Sequence, residues 1–354
     1  MKGLVLAAGK GTRLRPLTYT RPKHLVPVAN RPVLFYVLDY LAQAGVEEVG
    51  IVVAPDSGAA IRQAVGDGAR WGVRISYVVQ QEPKGLAHAV ACARHFLGDE
   101  PFLLLLGDNL FQGGIADSLQ NWPASGAEAL ALVKEVPDPR RFGVVEVDAH
   151  GRPLRLVEKP REPRSNLAII GVYAFTPMVH QVIATLKPSA RGELEITDAI
   201  QALLEQGAQV QIRRFHRWWL DLGRKEDVLE ANRRVLQERT SPHIQGVLEA
   251  CQVLGTVEVG PGSQVRGSVL RGPLSIGANC IVHEADIGPV VSIGDGSQVQ
   301  DSTVVDSILM EGCVVHGAHL RQSLLGVGCR VDGNGQGWVS LFLGDEGQVG
   351  VGPP

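Results

Sequence analysis

The residues Leu4 to Leu14 read Leu-Val-Leu-Ala-Ala-Gly-Lys-Gly-Thr-Arg-Leu, an apolar run of strand length that passes directly into a turn with two glycines and two cations. Glycines let backbone N–H groups come close to an anion, while Lys10 and Arg13 supply neutralising charge. The chemistry this suits is phosphate binding, and a triphosphate would fit. The dinucleotide fingerprint would want a third glycine where Leu14 stands and an acidic residue near Asn30. A Walker loop would want Gly-Lys-Ser or Gly-Lys-Thr, and Gly9-Lys10-Gly11 does not supply it. Both of these common nucleotide readings fail.

A second chemical feature lies further on. The run Phe102 to Leu106 delivers Gly107-Asp108-Asn109 at its C-terminal end, the place where ligands bind in open α/β sheets. Asp108 is thus placed to hold a metal ion.

The longer string Gly9-Lys10-Gly11-Thr12-Arg13-Leu14-Arg15-Pro16-Leu17-Thr18, followed by Arg21-Pro22-Lys23-His24-Leu25-Val26-Pro27-Val28, resembles the signature of the nucleotidyltransferases that make nucleotide sugars. Its continuation, Ala29 to Tyr36, is similar to the long-form glucose-1-phosphate thymidylyltransferases, which also carry a C-terminal β-helix. The resemblance implies transfer of a deoxythymidylyl group from dTTP to glucose-1-phosphate, by in-line attack of the sugar phosphate on the α-phosphorus. Leu6, Ala8, Gly9, Gly11, Thr12, Arg13, Lys23 and Asp108 would then contact the nucleotide. Gln80 would bond the pyrimidine edge, with Gly85 admitting the backbone beside it.

Further blocks carry the other half of the reaction. Asp221, in Trp218-Trp219-Leu220-Asp221-Leu222-Gly223, would be the second carboxylate for Mg²⁺, since two carboxylates with phosphate oxygens suit a hard octahedral ion. Gly143, Glu158, Lys159, Gly171 and Val172 match hexose-binding positions of the family, and Arg191 would assist Lys159 at the sugar phosphate. A phosphate monoester is already nucleophilic, so catalysis should rest on orientation and charge neutralisation. The expected catalytic set is Arg13 at the pyrophosphate, Lys23 at the α-phosphate, Asp108, Lys159 and Asp221. Two departures from the family pattern, Ala8 for glycine and His24 for glutamine, bear on base specificity.

These residues need a frame. Apolar runs at Gly3–Ala7, Val49–Val53, Ile75–Val79 and Phe102–Leu106 alternate with helical patterns at Pro32–Ala44, Ser57–Ala69 and Leu86–Phe96. That alternation predicts an α/β domain with a Rossmann-like sheet. Glu128–Val133, Gly143–Val147 and Ala168–Phe175 read as further strands, and Lys225–Arg239 as an amphipathic closing helix before the breaker Ser241-Pro242. A catalytic domain over 1–240 and a second domain over 241–354 follow.

The last third is a repeat. Apolar residues fall at Val259, Val265, Leu270, Ile276, Val282, Ile287, Ile293, Val299, Val304 and Met310, a spacing that cycles through six, six and five. Three such steps make one coil of a solenoid. Gly260, Gly277, Gly294 and Gly328 recur where tight corners are expected. About four coils are expected, and the resemblance to hexapeptide-repeat proteins implies a short left-handed parallel β-helix. The apolar stretch Trp338–Leu343 in the glycine-rich tail from Gly333 is expected to dock on this helix or on a neighbouring subunit.

Composition bounds the partners. A net charge of -3 over 354 residues gives no general attraction to nucleic acid or acidic membranes. Cys92, Cys251, Cys280, Cys313 and Cys329 show no metal-ligand spacing and read as reduced thiols. Without a leader or a membrane-length apolar run, cytoplasmic residence is expected. The β-helix is expected to be structural and to support a homo-oligomer by covering a solenoid face or end. Three other readings stay open: transfer from UTP or GTP to a different hexose-1-phosphate, an added C-terminal acetyltransferase using His283, His316 or His319 as a base, and a non-catalytic regulatory or structural subunit.

Overall fold

The computed structural model describes residues Met1–Val351, so the last three residues of the tail lie outside it. Two compact units are present, one of Met1–Lys10 with Val33–Asp221 and one of Gly11–Pro32 with Leu222–Pro354. In chain order the strands before the repeat are β1 (Lys2–Ala7), the short pair β2 (Pro27–Val28) and β3 (Arg31–Pro32), β4 (Glu48–Val53), β5 (Arg74–Val79), β6 (Phe102–Leu106) and β7 (Asn109–Phe111). They continue as β8 (Ala129–Glu135), β9 (Gly143–Val147), β10 (Pro153–Glu158), β11 (Leu167–Phe175), β12 (Val210–Arg214) and β13 (Trp219–Asp221).

The first unit is built on a mixed sheet in the order β10-β9-β11-β6-β1-β4-β5, with β8 joining β11 and β12. β6, β1, β4 and β5 run parallel, and β11 lies antiparallel to β6. Leu4, Val5, Ile51, Val52, Leu104 and Leu105 are wholly buried. A parallel strand covered on both faces needs such an unbroken apolar run, and each fully buried aliphatic side chain contributes about 1.5–3 kcal/mol. The pairing of Leu6 with Leu106 brings the C-terminal ends of β1 and β6 to one edge of the sheet. Gly107 N donates to Leu6 O there at 3.0 Å. The chain thus leaves this edge twice, at Ala8-Gly9 and at Gly107-Asp108.

The expected strands are all present, with ends moved by two residues at most. The helical pattern at 57–69 shortens to Gly58–Val65, because Gly66 takes φ 71° and its N–H caps Arg62 O. The pattern at 86–96 breaks at Ala93 into two helices, Leu86–Cys92 and Arg94–Leu97. β10, β12 and β13 have no counterpart among the expected strands. Leu154 is exposed, Trp219 and Leu220 are half-buried, and short strands of this kind carry no clean apolar period.

The C-terminal residues stack as parallel coils with three faces, two of seven strands and one of six, as in a left-handed β-helix. On one face Val247, Gln264, Ile281, Gln298, Val314, Arg330 and Gln348 succeed one another at intervals of 17, 17, 17, 16, 16 and 18 residues. The four-coil expectation was short because the end coils, open on one side, are freed from the apolar rule. Trp338–Val339 and Phe342–Leu343 pair with His319–Leu320 and Leu324–Leu325, so the apolar tail is itself part of the last coil. At the corners, Gly260, Gly277 and Gly294 stack directly. A Cβ on Gly260 would sit 2.6 Å from the Gly277 backbone, and one on Gly294 2.5 Å from Glu311 N. Gly326, not Gly328, continues that column, its own Cβ meeting Asp345 N at 2.6 Å. Cys280, Cys313 and Cys329 are buried, Cys92 and Cys251 half-buried, and all five are free thiols.

Candidate active site

In the first unit the chain beyond β6 makes a tight reversal into β7, which pairs antiparallel with β13. That register sets Asp221 opposite Asn109, one residue from Asp108. Asp108 is 5% exposed and accepts a hydrogen bond from Asn109 Nδ2 at 3.1 Å. Trp219 Nε1 in turn donates to Asn109 Oδ1 at 2.6 Å, which fixes the orientation of the amide. The Trp219 ring packs edge-on against Phe142 at 5.2 Å. Two carboxylates are thereby held at the end of a short, braced ribbon.

Gln80, also 5% exposed, follows β5. Its Nε2 donates to Gly85 O at 3.2 Å and meets His88 Nδ1 at 2.9 Å, so the loop 80–85 closes on itself. The loop is clamped onto the segment 189–198: Leu194 N donates to Lys84 O and Ala87 N donates to Leu194 O, at 2.8 and 3.0 Å. Gly85 has φ 103°, and a Cβ there would stand 2.4 Å from Leu194 O. Chain packing therefore demands this glycine whatever else the loop does.

A polar cluster of the unit gathers at the end of β10. Glu158 Oε2 accepts a hydrogen bond from Thr197 Oγ1 at 2.7 Å. Glu158 Oε1 lies 3.2 Å from Lys159 Nζ and 3.5 Å from Arg191 Nη1. Arg191 also pairs with Glu195 at 3.2 Å and with Glu193 at 3.1 Å, and Ser189 Oγ donates to Glu195 at 3.0 Å. Gly143 makes room for this: a Cβ there would lie 2.7 Å from Thr197 Oγ1 and 3.1 Å from Glu158 Oε2. Burial, and then the charge of Glu158, push the carboxyls of Glu195 and Asp198 above the usual range. Burial, with Glu158 and Glu195 behind it, likewise raises the Tyr173 hydroxyl. Lys159 and Arg191 are oriented by these carboxylates and stay about half-exposed.

Gly171 and Val172 sit in β11 behind that cluster. Gly171 takes φ 75°, where the ladder with β8 is irregular, and a Cβ would press Leu106 at 2.9 Å. Val172 is wholly buried and pairs with Leu105 of β6. Of this cluster Ser189, Glu193, Glu195, Thr197 and Asp198 were not singled out from sequence, where only Arg191 of their block was given a role. The available signals were their nearness to Arg191 in sequence and, for Glu195 and Thr197, their place at the start of the helix Ile196–Glu205.

The second unit holds the rest of the glycine-rich loop. Gly11 has φ 64°, and a Cβ would fall 2.9 Å from Lys23 Cβ and 3.0 Å from Thr18 Cγ2. Thr18 Oγ1 donates to Gly11 O at 2.7 Å, folding the loop back on itself. Three single 3₁₀ turns follow, at Thr12–Leu14, Leu17–Tyr19 and Lys23–Leu25. The Arg13 guanidinium lies over Gly223, where a Cβ would approach Nη2 to 3.1 Å. His24 is 1% exposed, so its imidazole is a packing group and not a ligand-facing one.

The histidines of the β-helix do not converge. His283 and His316 project from one face two coils apart, both about half-exposed, whereas His319 is on another face against Gly335 O. No helix among the described residues is long and apolar enough to cross a membrane.

The family profile for nucleotidyl transferases matches residues 2–238. A glucose-1-phosphate thymidylyltransferase of Streptomyces griseus is 45% identical over 328 residues, covering 92% of each chain. A low-salt glycan biosynthesis nucleotidyltransferase of Haloferax volcanii is 40% identical, covering 94% of each. The crystal structure of a UDP-glucose pyrophosphorylase complexed with UDP-glucose superposes with a TM-score of 0.61 at 27% identity, over 67% of this chain and 99% of that one. With a braced carboxylate pair, a glycine-rich basic loop and similarity that runs through both, the chain belongs to the nucleotidyl transferase family.

Proposed function

We propose that this chain transfers a deoxythymidylyl group from dTTP to glucose-1-phosphate, releasing pyrophosphate and forming dTDP-glucose. The observation that carries the reading is the 45% identity to a thymidylyltransferase across 92% of both chains, β-helix included. The catalytic region is taken as 1–240 and the β-helix region as 241–354.

In this reading Lys159 and Arg191 hold the phosphate of the sugar in line, while Glu158 and the backbone around Gly171 and Val172 receive the hexose, beside Gly143. Leu6, Ala8, Gly9, Gly11 and Thr12 line the triphosphate, Gln80 and Gly85 the base. Arg13 neutralises the departing pyrophosphate and Lys23 the α-phosphate, where two anions must meet. The monoester oxygen attacks without a general base, so the protein's contribution is alignment and charge preorganisation.

Nucleotidyltransferases of this family generally use a divalent metal. Asp108 and Asp221 fit Mg²⁺: they are two hard oxygen donors on a rigid ribbon, a set that leaves the remaining positions to substrate phosphates and water. When bound, the ion would supply charge to the phosphates. The β-helix would support a homo-oligomer, with Val247, Ile281 and Trp338 exposed on its faces.

The test is a matrix of dTTP, UTP and GTP against several hexose-1-phosphates with Mg²⁺, followed by pyrophosphate release. Highest kcat/KM with dTTP and glucose-1-phosphate is expected. Preference for UTP would replace the thymidylyl assignment by uridylyl transfer, and free thiol released from acetyl-CoA would restore the acetyltransferase reading.

A further inference from the structure

The segment Pro16–Pro32 carries Lys23 and belongs to the same compact unit as the β-helix. It is tied to the coils at both ends. At its start, Thr20 Oγ1 donates to Asp345 Oδ2 at 2.7 Å, while Asp345 Oδ1 accepts from Val327 N at 2.8 Å across the last coil. Arg21 Nη1 stands 3.7 Å from Glu311 Oε2, and Gly344 packs against Pro16, where a Cβ would approach to 3.1 Å.

At its end, β2 and β3 turn through Ala29 and Asn30, both in the left-handed region at φ 49° and 61°. The Asn30 amide donates to Ser275 O at 3.1 Å and to Ile293 O at 2.9 Å, spanning two neighbouring coils. Ala29 N donates to Asn232 Oδ1 at 2.8 Å, and the same oxygen accepts from Ser292 Oγ at 2.7 Å. Arg239 Nη2 donates to Ala29 O at 2.9 Å. A turn with two positive φ values, one of them on an alanine, is held because its surroundings over-determine it.

From these two anchors we infer that the β-helix is the scaffold that positions the Lys23 segment for the triphosphate, with Thr20, Asp345 and Asn30 as positioning residues. This rests on the reading of Lys23 proposed above. A loop pinned only by its neighbours in sequence would sample many conformations, and a cation misplaced by about 1 Å can cost about a hundredfold in rate. Anchoring both ends to rigid coils removes that freedom in advance.

Two variants separate positioning from folding. Asn30→Gly keeps the left-handed backbone and removes only the amide, and Thr20→Val removes only the hydroxyl. The full-length double variant should keep its circular dichroism and melt within a few degrees of wild type. Its kcat/KM for dTTP should fall about tenfold or more, with KM for glucose-1-phosphate changed less than about twofold. Trypsin should cut faster after Arg13 or Lys23, the bonds after Arg15 and Arg21 being closed to it by Pro16 and Pro22. Thr20→Ser, which restores the donor, should recover the loss owed to Thr20→Val. Kinetic constants within about twofold of wild type would overturn the inference, whatever trypsin shows. If the wild-type chain lacks thymidylyl transfer, the function proposal is what fails, and the trypsin arm alone decides this one: unchanged cutting overturns it.

Discussion

Asp221 faces Asn109 across an antiparallel ribbon whose tryptophan, Trp219, holds the Asn109 side chain that in turn bonds Asp108. The two aspartates are 113 residues apart in sequence and one register step apart in space. Neither is positioned by its own loop alone.

The first expectation follows from that ribbon. Asp108→Asn and Asp221→Asn should each lower turnover by about a hundredfold or more while leaving the melting temperature nearly unchanged, the size of losing one preorganised charge contact. Trp219→Phe, which removes the indole donor and keeps the ring, should give a smaller loss of the same kind. A loss below about threefold in either aspartate variant, measured by pyrophosphate release at saturating substrates, would remove that residue from the site.

Gly143 gives a second test, directed at the sugar side. Alanine there would drive a methyl toward Thr197 Oγ1 and Glu158 Oε2, at 2.7 and 3.1 Å, without asking for an unusual backbone. Glu158 must then turn away from Thr197. KM for glucose-1-phosphate should rise about tenfold, equivalent to about 1.4 kcal/mol of binding, with KM for dTTP unaffected. Equal rises for both substrates would show a general distortion instead.

Much of this frame was legible because burial writes itself into composition. Phe102–Leu106 could be read to the residue, since a strand covered on both faces tolerates no polar side chain. The 17-residue coil was equally plain where stacked apolar residues recur. β10 and β13 were not legible, because half-exposed short strands need no period. Thr197 and Glu195 were hidden for another reason: their role comes from Glu158, some forty residues away, and no local pattern encodes that pairing. The company of Gly11–Pro32 with the C-terminal coils rests likewise on scattered contacts, those of Thr20 and Asn30 among them, made by residues that resemble ordinary turn residues.

His180 makes a prediction about pH. It lies on the helix Met178–Thr185 with its ring stacked on Phe102 at 5.7 Å, and burial, helped by Arg94, lowers its pKa to about 4. The unfolded chain binds that proton near pH 6.5, so the unfolded state takes up more protons in between. The stability this residue contributes is therefore complete above about pH 6.5 and is lost as pH falls toward 4. His180→Phe keeps the stacking and removes the titration. Between pH 7.5 and 4.5 the melting temperature of the wild type should drop further than that of the variant, and parallel curves would show that His180 does not contribute to the acid limb.

Gly223 reports on Arg13. Its backbone is outside the left-handed region, so alanine costs little conformationally, yet a Cβ would stand 3.1–3.3 Å from the Arg13 guanidinium. The far end of a flexible side chain can yield, so the fold should survive while the cation is displaced. If Arg13 neutralises the departing pyrophosphate, Gly223→Ala should lower kcat about tenfold, and Arg13→Lys should do no better because a single ammonium cannot replace the planar fork of donors. The reverse reaction gives the sharper readout: KM for pyrophosphate should rise in both variants, with KM for dTDP-glucose moving less. A normal pyrophosphate KM in Gly223→Ala, alongside a raised one in Arg13→Lys, would mean that the guanidinium reaches its phosphate from a direction that the glycine does not control.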